Sequence, residues 1–219
     1  MYLIVVGAGD IGSQVIDLAT EAGVDTVVIE KDPERAEKMS RDYDCLVIEG
    51  DASDKSVLED AGADEADAVI CTTESDATNM MVLLLSEEIG IPQRVTVVQN
   101  PEHLNLFRRV GANVLENPQH LIADYLFRAV QLPSVEDFMH VGETAEIFEI
   151  PVGADSDLVG MTIAEADDEG YLDEGVLIVA VDRDGDVIIP KGQTRIQKDD
   201  LVTVFSREGM TEDVLDIFE

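Results

Sequence analysis

The sequence predicts a doubly wound, Rossmann-like α/β domain, a parallel sheet in strand order 3-2-1-4-5-6, followed by a small α+β domain. Three observations predict it. Six short, continuous apolar runs alternate with amphipathic stretches over the first 130 residues or so, as in a parallel sheet covered on both faces. The first run, Leu3–Val6, feeds directly into Gly7-Ala8-Gly9-Asp10-Ile11-Gly12. Beyond Leu132-Pro133 the pattern changes to alternating strands punctuated by turns.

The elements follow in order. After the first strand, Asp10–Ala22 reads as a helix with Ile11, Val15, Ile16 and Leu18 as its apolar stripe, ended by Gly23. Thr26–Glu30 is the second strand, and Pro33–Arg41 a polar helix with proline at its start. Cys45–Glu49 is the third strand, closed by Gly50-Asp51-Ala52, and Asp54–Ala61 a short helix. Ala68–Cys71, Val95–Val98 and Asn113–Leu115 complete the strands, with helices at Asp76–Ile89, Glu102–Val110 and Pro118–Val130. Right-handed crossovers then give the doubly wound order. In the second domain, Ala145–Ile150, Val176–Val181, Val187–Ile189 and Leu201–Phe205 read as strands, Asp184-Gly185 as a hairpin turn, and Thr162–Asp167 and Met210–Phe218 as helices. The expected boundaries are 1–132, a linker at 133–143, and 144–219.

The glycine motif is specific in this context because it follows a strand and opens a helix. Gly7 allows the tight turn, Gly9 lets the backbone approach a pyrophosphate, and Gly12 lets helix and strand pack closely. Phosphates then sit at a helix N-terminus. Glu30 ends the second strand about 20 residues on, where a carboxylate accepts from both ribose hydroxyls and repels a 2′-phosphate. That favours NAD(H) or an adenine nucleotide over NADP. Asp51 and Thr72-Thr73 follow the third and fourth strands, at carboxyl ends beside the expected crevice. Asp51 is placed to touch adenosine and Thr73 to donate to a phosphate or ribose; helix capping is the alternative, since Ser53 and Ser75 are neighbouring candidate N-caps.

Composition narrows the function. The chain carries 48 Asp+Glu against 14 Lys+Arg, a formal charge of −34 spread along its length. No basic face exists to neutralise nucleic-acid phosphates. Adaptation to high salt, as in proteins of extreme halophiles, accounts for the charge: at ~1 M ionic strength the Debye length is about 3 Å and carboxylate repulsion is screened. Disorder is excluded for most of the length by the apolar periodicity. No run approaches the ~18 apolar residues of a membrane span, and Met1 leads straight into the first strand, so neither direct membrane insertion nor a leader is expected. Cys45 and Cys71 fall in strand-like runs and read as buried small hydrophobes. His103, His120 and His140 lack metal-site spacing. The 182–186 stretch, Asp-Arg-Asp-Gly-Asp, lacks the ligand order of a calcium loop and reads as a charged turn; Asp173-Glu174 reads as a solvated face. Catalytic groups are thin: no Tyr-x-x-x-Lys pair, no His–carboxylate pair placed for hydride transfer and no activated nucleophile stand out.

With these motifs in view, the chain resembles TrkA-type potassium-uptake regulators, an RCK (KTN) domain followed by a TrkA-C domain. The first domain carries the resemblance in VVGAGDIG, Glu30, EGDAS at 49–53, LEDAGADEADAVICTTESDATNM at 58–80 and GANVLENP at 111–118. The second carries it in DLVGMTIAE at 157–165, VAVDRDGDVIIPKGQTRIQKDD at 179–200 and LVTVF at 201–205. The resemblance implies a cytoplasmic regulatory subunit, peripheral on the inner face of the membrane, that binds NAD(H), ATP or ADP. It implies dimers assembling into a ring under an integral-membrane potassium channel or transporter. By motif match the nucleotide site is Gly7, Ala8, Gly9, Asp10, Ile11, Gly12, Glu30, Asp51, Thr73 and Glu74. Family members often carry an Arg on the fifth strand that reaches the phosphates; Val97 stands at that position here, which leaves nucleotide preference open. The helix at Pro118–Val130 resembles the family's crossover helix, with Leu121, Ile122, Leu126, Phe127 and Val130 facing a partner or its own subunit. The competing reading is an NAD-dependent oxidoreductase with a small second domain.

Overall fold

A computed structural model of the chain describes residues 1–115, 118–142, 144–172 and 174–219. Glu116 and Asn117 of the GANVLENP stretch, Glu143 of the expected linker and Asp173 lie outside the described residues. The chain forms two compact units, residues 1–123 and 124–219.

In the first unit β1 (Tyr2–Val6), β2 (Asp25–Glu30), β3 (Leu46–Glu49), β4 (Ala68–Cys71), β5 (Gln93–Val97) and β6 (Asn113–Leu115) form one parallel sheet in the order β3-β2-β1-β4-β5-β6. β1 is central, with Val6 in register with Ile29 of β2 and Cys71 of β4. Its position explains its unbroken apolar run. Ile4 and Val6 pack into one core cluster and Leu3 and Val5 into another, so both faces are covered. Each such fully buried side chain contributes about 1.5–3 kcal/mol relative to exposure.

Helices α1 (Asp10–Glu21), α2 (Pro33–Asp42), α3 (Lys55–Asp60), α4 (Asp76–Ile89) and α5 (Leu104–Arg109) connect the strands, and α6 (Pro118–Gln131) follows β6. The sheet order and the crossovers match the sequence expectation; the details differ in instructive ways. In α1 the buried positions are Gly12, Ile16 and Ala19, at i, i+4 and i+7, whereas Leu18 is exposed. A stripe centred on small residues lets α1 lie close to the sheet, and Leu18 falls on its outer side. Cys45 precedes β3 and is half-buried, while Cys71 is fully buried. The helix expected from Glu102 begins as a 3₁₀ turn at Pro101–His103, capped by Asn100.

The second unit contains β7 (Asp137–Val141), β8 (Ala145–Pro151), β9 (Val176–Arg183), β10 (Asp186–Ile188) and β11 (Leu201–Ser206), an antiparallel sheet in the order β10-β9-β11-β8-β7. α7 (Ile163–Asp168) starts with a capping box between Thr162 and Glu165, and α8 (Glu212–Asp216) closes the chain. Asp184 and Gly185 both have positive φ, 55° and 86°, as the tight β9–β10 turn requires. β7 lies within the stretch expected as a linker. It is an edge strand whose Asp137, Met139 and Val141 face outward, so it never needed a clean apolar alternation to form. Arg183 and Asp200 form a bidentate pair at 2.7 and 2.8 Å, with Asp200 buried. Among the described residues, no helix is long and apolar enough to cross a membrane.

Candidate functional site

The turn after β1 determines the site. Gly7 takes φ +92°, a conformation that disfavours any side chain. A Cβ at Gly12 would collide with the Gly7 carbonyl oxygen and lie 2.6 Å from Thr72 Oγ1. Gly12 thus packs against the glycine turn itself and the end of β4. Gly9 differs: the nearest atom to a Cβ built there is the tip of Arg35, 3.8 Å away. Nothing in the fold needs glycine at position 9, so the open space above it is what distinguishes that residue. Gly9 is the N-cap of α1 and supplies no side-chain cap, which leaves the first-turn N–H groups of the helix directed outward.

Glu30 reaches across from β2. Its Oε2 accepts from the Ala8 N–H at 2.6 Å and its Oε1 from the Asp32 N–H at 2.8 Å. The carboxylate is buried, and each oxygen retains a lone pair. From β4, Thr72 donates to the Gly7 carbonyl at 2.9 Å. Thr73 donates to Asn79 Oδ1 at 2.6 Å, and Asn79, fully buried, donates to the Thr73 and Val97 carbonyls. Ser75 caps α4, as expected of one of the two serines, but the cap of α3 is Asp54, not Ser53.

Asp51 follows β3. Its Oδ2 lies 2.6 Å from Lys31 Nζ, and its Oδ1 accepts from the Ser53 hydroxyl at 2.6 Å and the Ser53 N–H at 3.0 Å. The bond from Lys31, aided by those from Ser53, pulls its pKa from 3.8 down to about 2. Lys31, immediately after the β2 carboxylate, went unassigned in the sequence. Its signal was a lysine beside the acid in a chain with few cations.

These elements surround a cavity of about 580 Å³ at the carboxyl ends of the strands. Gly7, Gly9, Asp10, Ile11, Glu30, Asp51, Thr73 and Glu74 line it. Ala8 and Gly12 do not: Ala8 is buried with its N–H on Glu30, and Gly12 sits beneath the turn. Residues that the sequence reading did not assign also line it, among them Lys31, Arg35 and Gln99, and Pro118, Gln119 and Ile122 from the first turns of α6. Two histidines meet carboxylates that the sequence did not reveal: His140 Nδ1 lies 3.0 Å from Glu146 Oε1 in the second unit, and in the first unit His103 Nδ1 lies 2.7 Å from Asp76 Oδ2. Asp76 also accepts from the Gln99 and Asn100 N–H groups at 2.8 and 3.0 Å, so the pair holds the segment after β5, and neither side chain lines the cavity.

A doubly wound sheet with a glycine turn, a buried carboxylate ending β2 and a cavity at the strand ends is the geometry of a nucleotide site. Family models match on both sides of the chain: the TrkA-N domain over residues 3–118 and the TrkA-C domain over 147–219. The chain belongs to the TrkA family. A Trk system potassium uptake protein TrkA homolog of Pyrococcus abyssi is 33% identical over 227 residues, covering 100% of this chain and 98% of the relative. The TrkA protein of Vibrio alginolyticus is 28% identical over 211 residues, and this chain spans 46% of its length. Among solved structures, the GsuK channel bound to NAD shares the fold, with a TM-score of 0.66 and 20% identity over 99% of this TrkA-family chain. This chain spans 38% of that channel chain.

Proposed function

We propose that this TrkA-family chain is a nucleotide-binding regulatory subunit of an integral-membrane potassium channel or transporter, acting at the cytoplasmic face. The observation that carries the reading is the cavity over the glycine turn, with Glu30 buried at its edge and Gly9 open above it. An adenine nucleotide or NAD(H) fits this arrangement: ribose hydroxyls donate to Glu30, phosphates meet the N-terminus of α1, and adenosine lies toward Asp51. Thr73 and Glu74 border the same ligand from β4. Support for the ligand class comes from GsuK, a structure of which is bound to NAD and another to ADP.

The mode of action is binding without chemistry. A ligand that binds one conformation better shifts a pore equilibrium, and couplings of about 1–3 kcal/mol suffice. α6 supplies the physical link. Its first turns line the cavity through Pro118, Gln119 and Ile122, and the helix runs on to Gln131. Ile122, Leu126, Phe127 and Val130 along it are between 60 and 81% exposed. A second copy of the chain covering these side chains, in a dimer and then a ring, would feel nucleotide occupancy through the helix.

Calorimetric titration of NAD, NADH, ATP and ADP into the protein in molar KCl tests the site, with Gly9→Asp as the control. Heats that are the same for both proteins would overturn it. NADH must bind without turnover; sustained NADH oxidation in the presence of cell metabolites would convert the reading to an oxidoreductase. Co-purification of a multi-span membrane protein from membranes in high KCl tests the partner.

A further inference from the structure

The nucleotide cavity of this chain has an electrostatic difficulty. Its ligand is an anion, the protein carries a formal charge of −34, and Asp10, Glu30, Asp51 and Glu74 all line the cavity. Among the described residues, two cations line it, Lys31 and Arg35. Lys31 is held by Asp51 at 2.6 Å. Arg35 is different. Its backbone N–H donates to the capping Asp32, but its guanidinium has no carboxylate partner among the described residues. In a chain with 48 acidic residues and 14 Lys+Arg, an arginine that faces a cavity with no carboxylate partner among the described residues calls for an explanation. Its Nη1 is the nearest atom to the open face of Gly9, at 3.8 Å from a Cβ built there. That face is where a phosphate would approach the uncapped start of α1.

We propose that Arg35 is a phosphate-binding residue of this site, its guanidinium closing over the phosphate that the Gly9 turn and the α1 N-terminus hold from below. The assignment rests on the nucleotide reading above. A guanidinium is suited to the role, because its fork of donors matches two phosphate oxygens and its charge is permanent. The helix N-terminus supplies N–H groups but no formal charge, and Glu30 beside the ribose is an anion. Arg35 therefore supplies a positive charge not already held by a carboxylate among the described residues, and it offsets the acidic walls. The pocket is thereby selective for phosphorylated adenosine over adenosine itself. Because Glu30 occupies the ribose edge, the charge serves the backbone phosphates of the nucleotide and not a 2′-phosphate.

The test is calorimetry on the full chain in molar KCl with ADP, adenosine, NAD and NADP as probes, comparing wild type with Arg35→Gln and Arg35→Lys. Gln is a good helix former and the Asp32 cap uses the backbone N–H of residue 35, so α2 survives; thermal melting by circular dichroism verifies this. Loss of a charge-assisted phosphate contact lowers ADP and NAD affinity about ten-fold in Arg35→Gln, leaves adenosine within about two-fold, and is partly restored by Arg35→Lys. Affinity for ADP also falls less steeply with added salt in Arg35→Gln than in wild type. Equal losses for ADP and adenosine, no loss for either, or a loss confined to NADP would overturn the Arg35 assignment while leaving the nucleotide site standing. Wild type that binds none of the four overturns the nucleotide reading and this one with it.

Discussion

The Glu30 carboxylate and the Ala8 backbone amide, 22 positions apart, are joined by a 2.6 Å hydrogen bond that ties the end of β2 to the glycine turn after β1. Glu30 thus has a structural role before any ligand arrives, since its other oxygen holds the Asp32 N–H at the start of α2. Glu30→Gln replaces one acceptor oxygen by an NH₂ group that cannot accept, so one buried N–H loses its partner. The expected cost is ~1–3 kcal/mol of stability without nucleotide, read by chemical denaturation in high salt, together with weakened binding. A variant of unchanged stability would mean that the carboxylate serves the ligand alone.

Gly9 and Gly12 separate fold from function. Gly12→Ala drives a methyl group into the Gly7 carbonyl and Thr72, so the turn must open; loss of stability and of nucleotide binding together is expected. Gly9→Ala meets only the flexible end of Arg35 at 3.8 Å. It should melt within a few degrees of wild type and yet bind nucleotide more weakly, because the methyl occupies the phosphate approach. Equal melting temperatures for both variants would contradict the packing described for Gly12.

The strand order was legible because it depends on periodicity: β1 is apolar at every position since both faces are covered, and Glu30 and Asp51 fall at strand ends that the same pattern locates. Side-chain pairings across the sheet were not legible. Lys31 meets Asp51 only because β2 and β3 are neighbours in register, and His103 meets Asp76 only because α4 and the segment after β5 begin at the same end of the sheet. β7 escaped notice because a half-exposed edge strand carries a weak alternation. Leu18 misled because apolar identity suggested burial while the close approach of α1 selected Gly12 and Ala19.

The Lys31–Asp51 bond gives the cavity rim an acid titration. Asp51 has its pKa lowered from 3.8 to about 2, first by the bond from Lys31 and then by those from Ser53. A depressed folded-state pKa means that the stability Asp51 contributes is complete above about pH 4 and is lost as the pH falls toward 2. In Lys31→Met the Asp51 carboxyl should titrate closer to 3.8, as followed by carbon NMR of the side chain. An unmoved midpoint would assign the shift to Ser53.

In the second unit the decisive pair is Arg183 and Asp200. Burial by itself would raise the Asp200 pKa, yet the Arg183 guanidinium and the Gln197 N–H outweigh it and the net shift is downward. Asp200→Ala leaves Arg183 without its bidentate partner and the Gln197 N–H without its acceptor. A loss of about 1.5–3 kcal/mol is expected, since Arg183 stays partly in water. A double variant that also replaces Arg183 by Met should recover part of that loss, since no charge is then stranded. If the double variant is no more stable than the single, the cost lies in packing and not in the orphaned guanidinium.

Salt should act strongly on one kind of charge in this chain and weakly on the other. Most of the 48 acidic residues have no cation to pair with, since there are only 14 Lys+Arg, so their mutual repulsion opposes compaction. At ~1 M salt the Debye length of about 3 Å screens that repulsion, whereas at 0.01 M it reaches about 30 Å and acts across the whole molecule. The Arg183–Asp200 pair, with Asp200 buried and Arg183 27% exposed, is screened much less than the surface charges. The melting temperature is therefore expected to fall steeply on transfer from molar KCl to dilute buffer, while the difference between wild type and Asp200→Ala stays nearly constant. A melting temperature indifferent to KCl would show that the acidic surface is neutral in its effect on folding. A mutational difference that vanished in high salt would show that the pair is open to solvent.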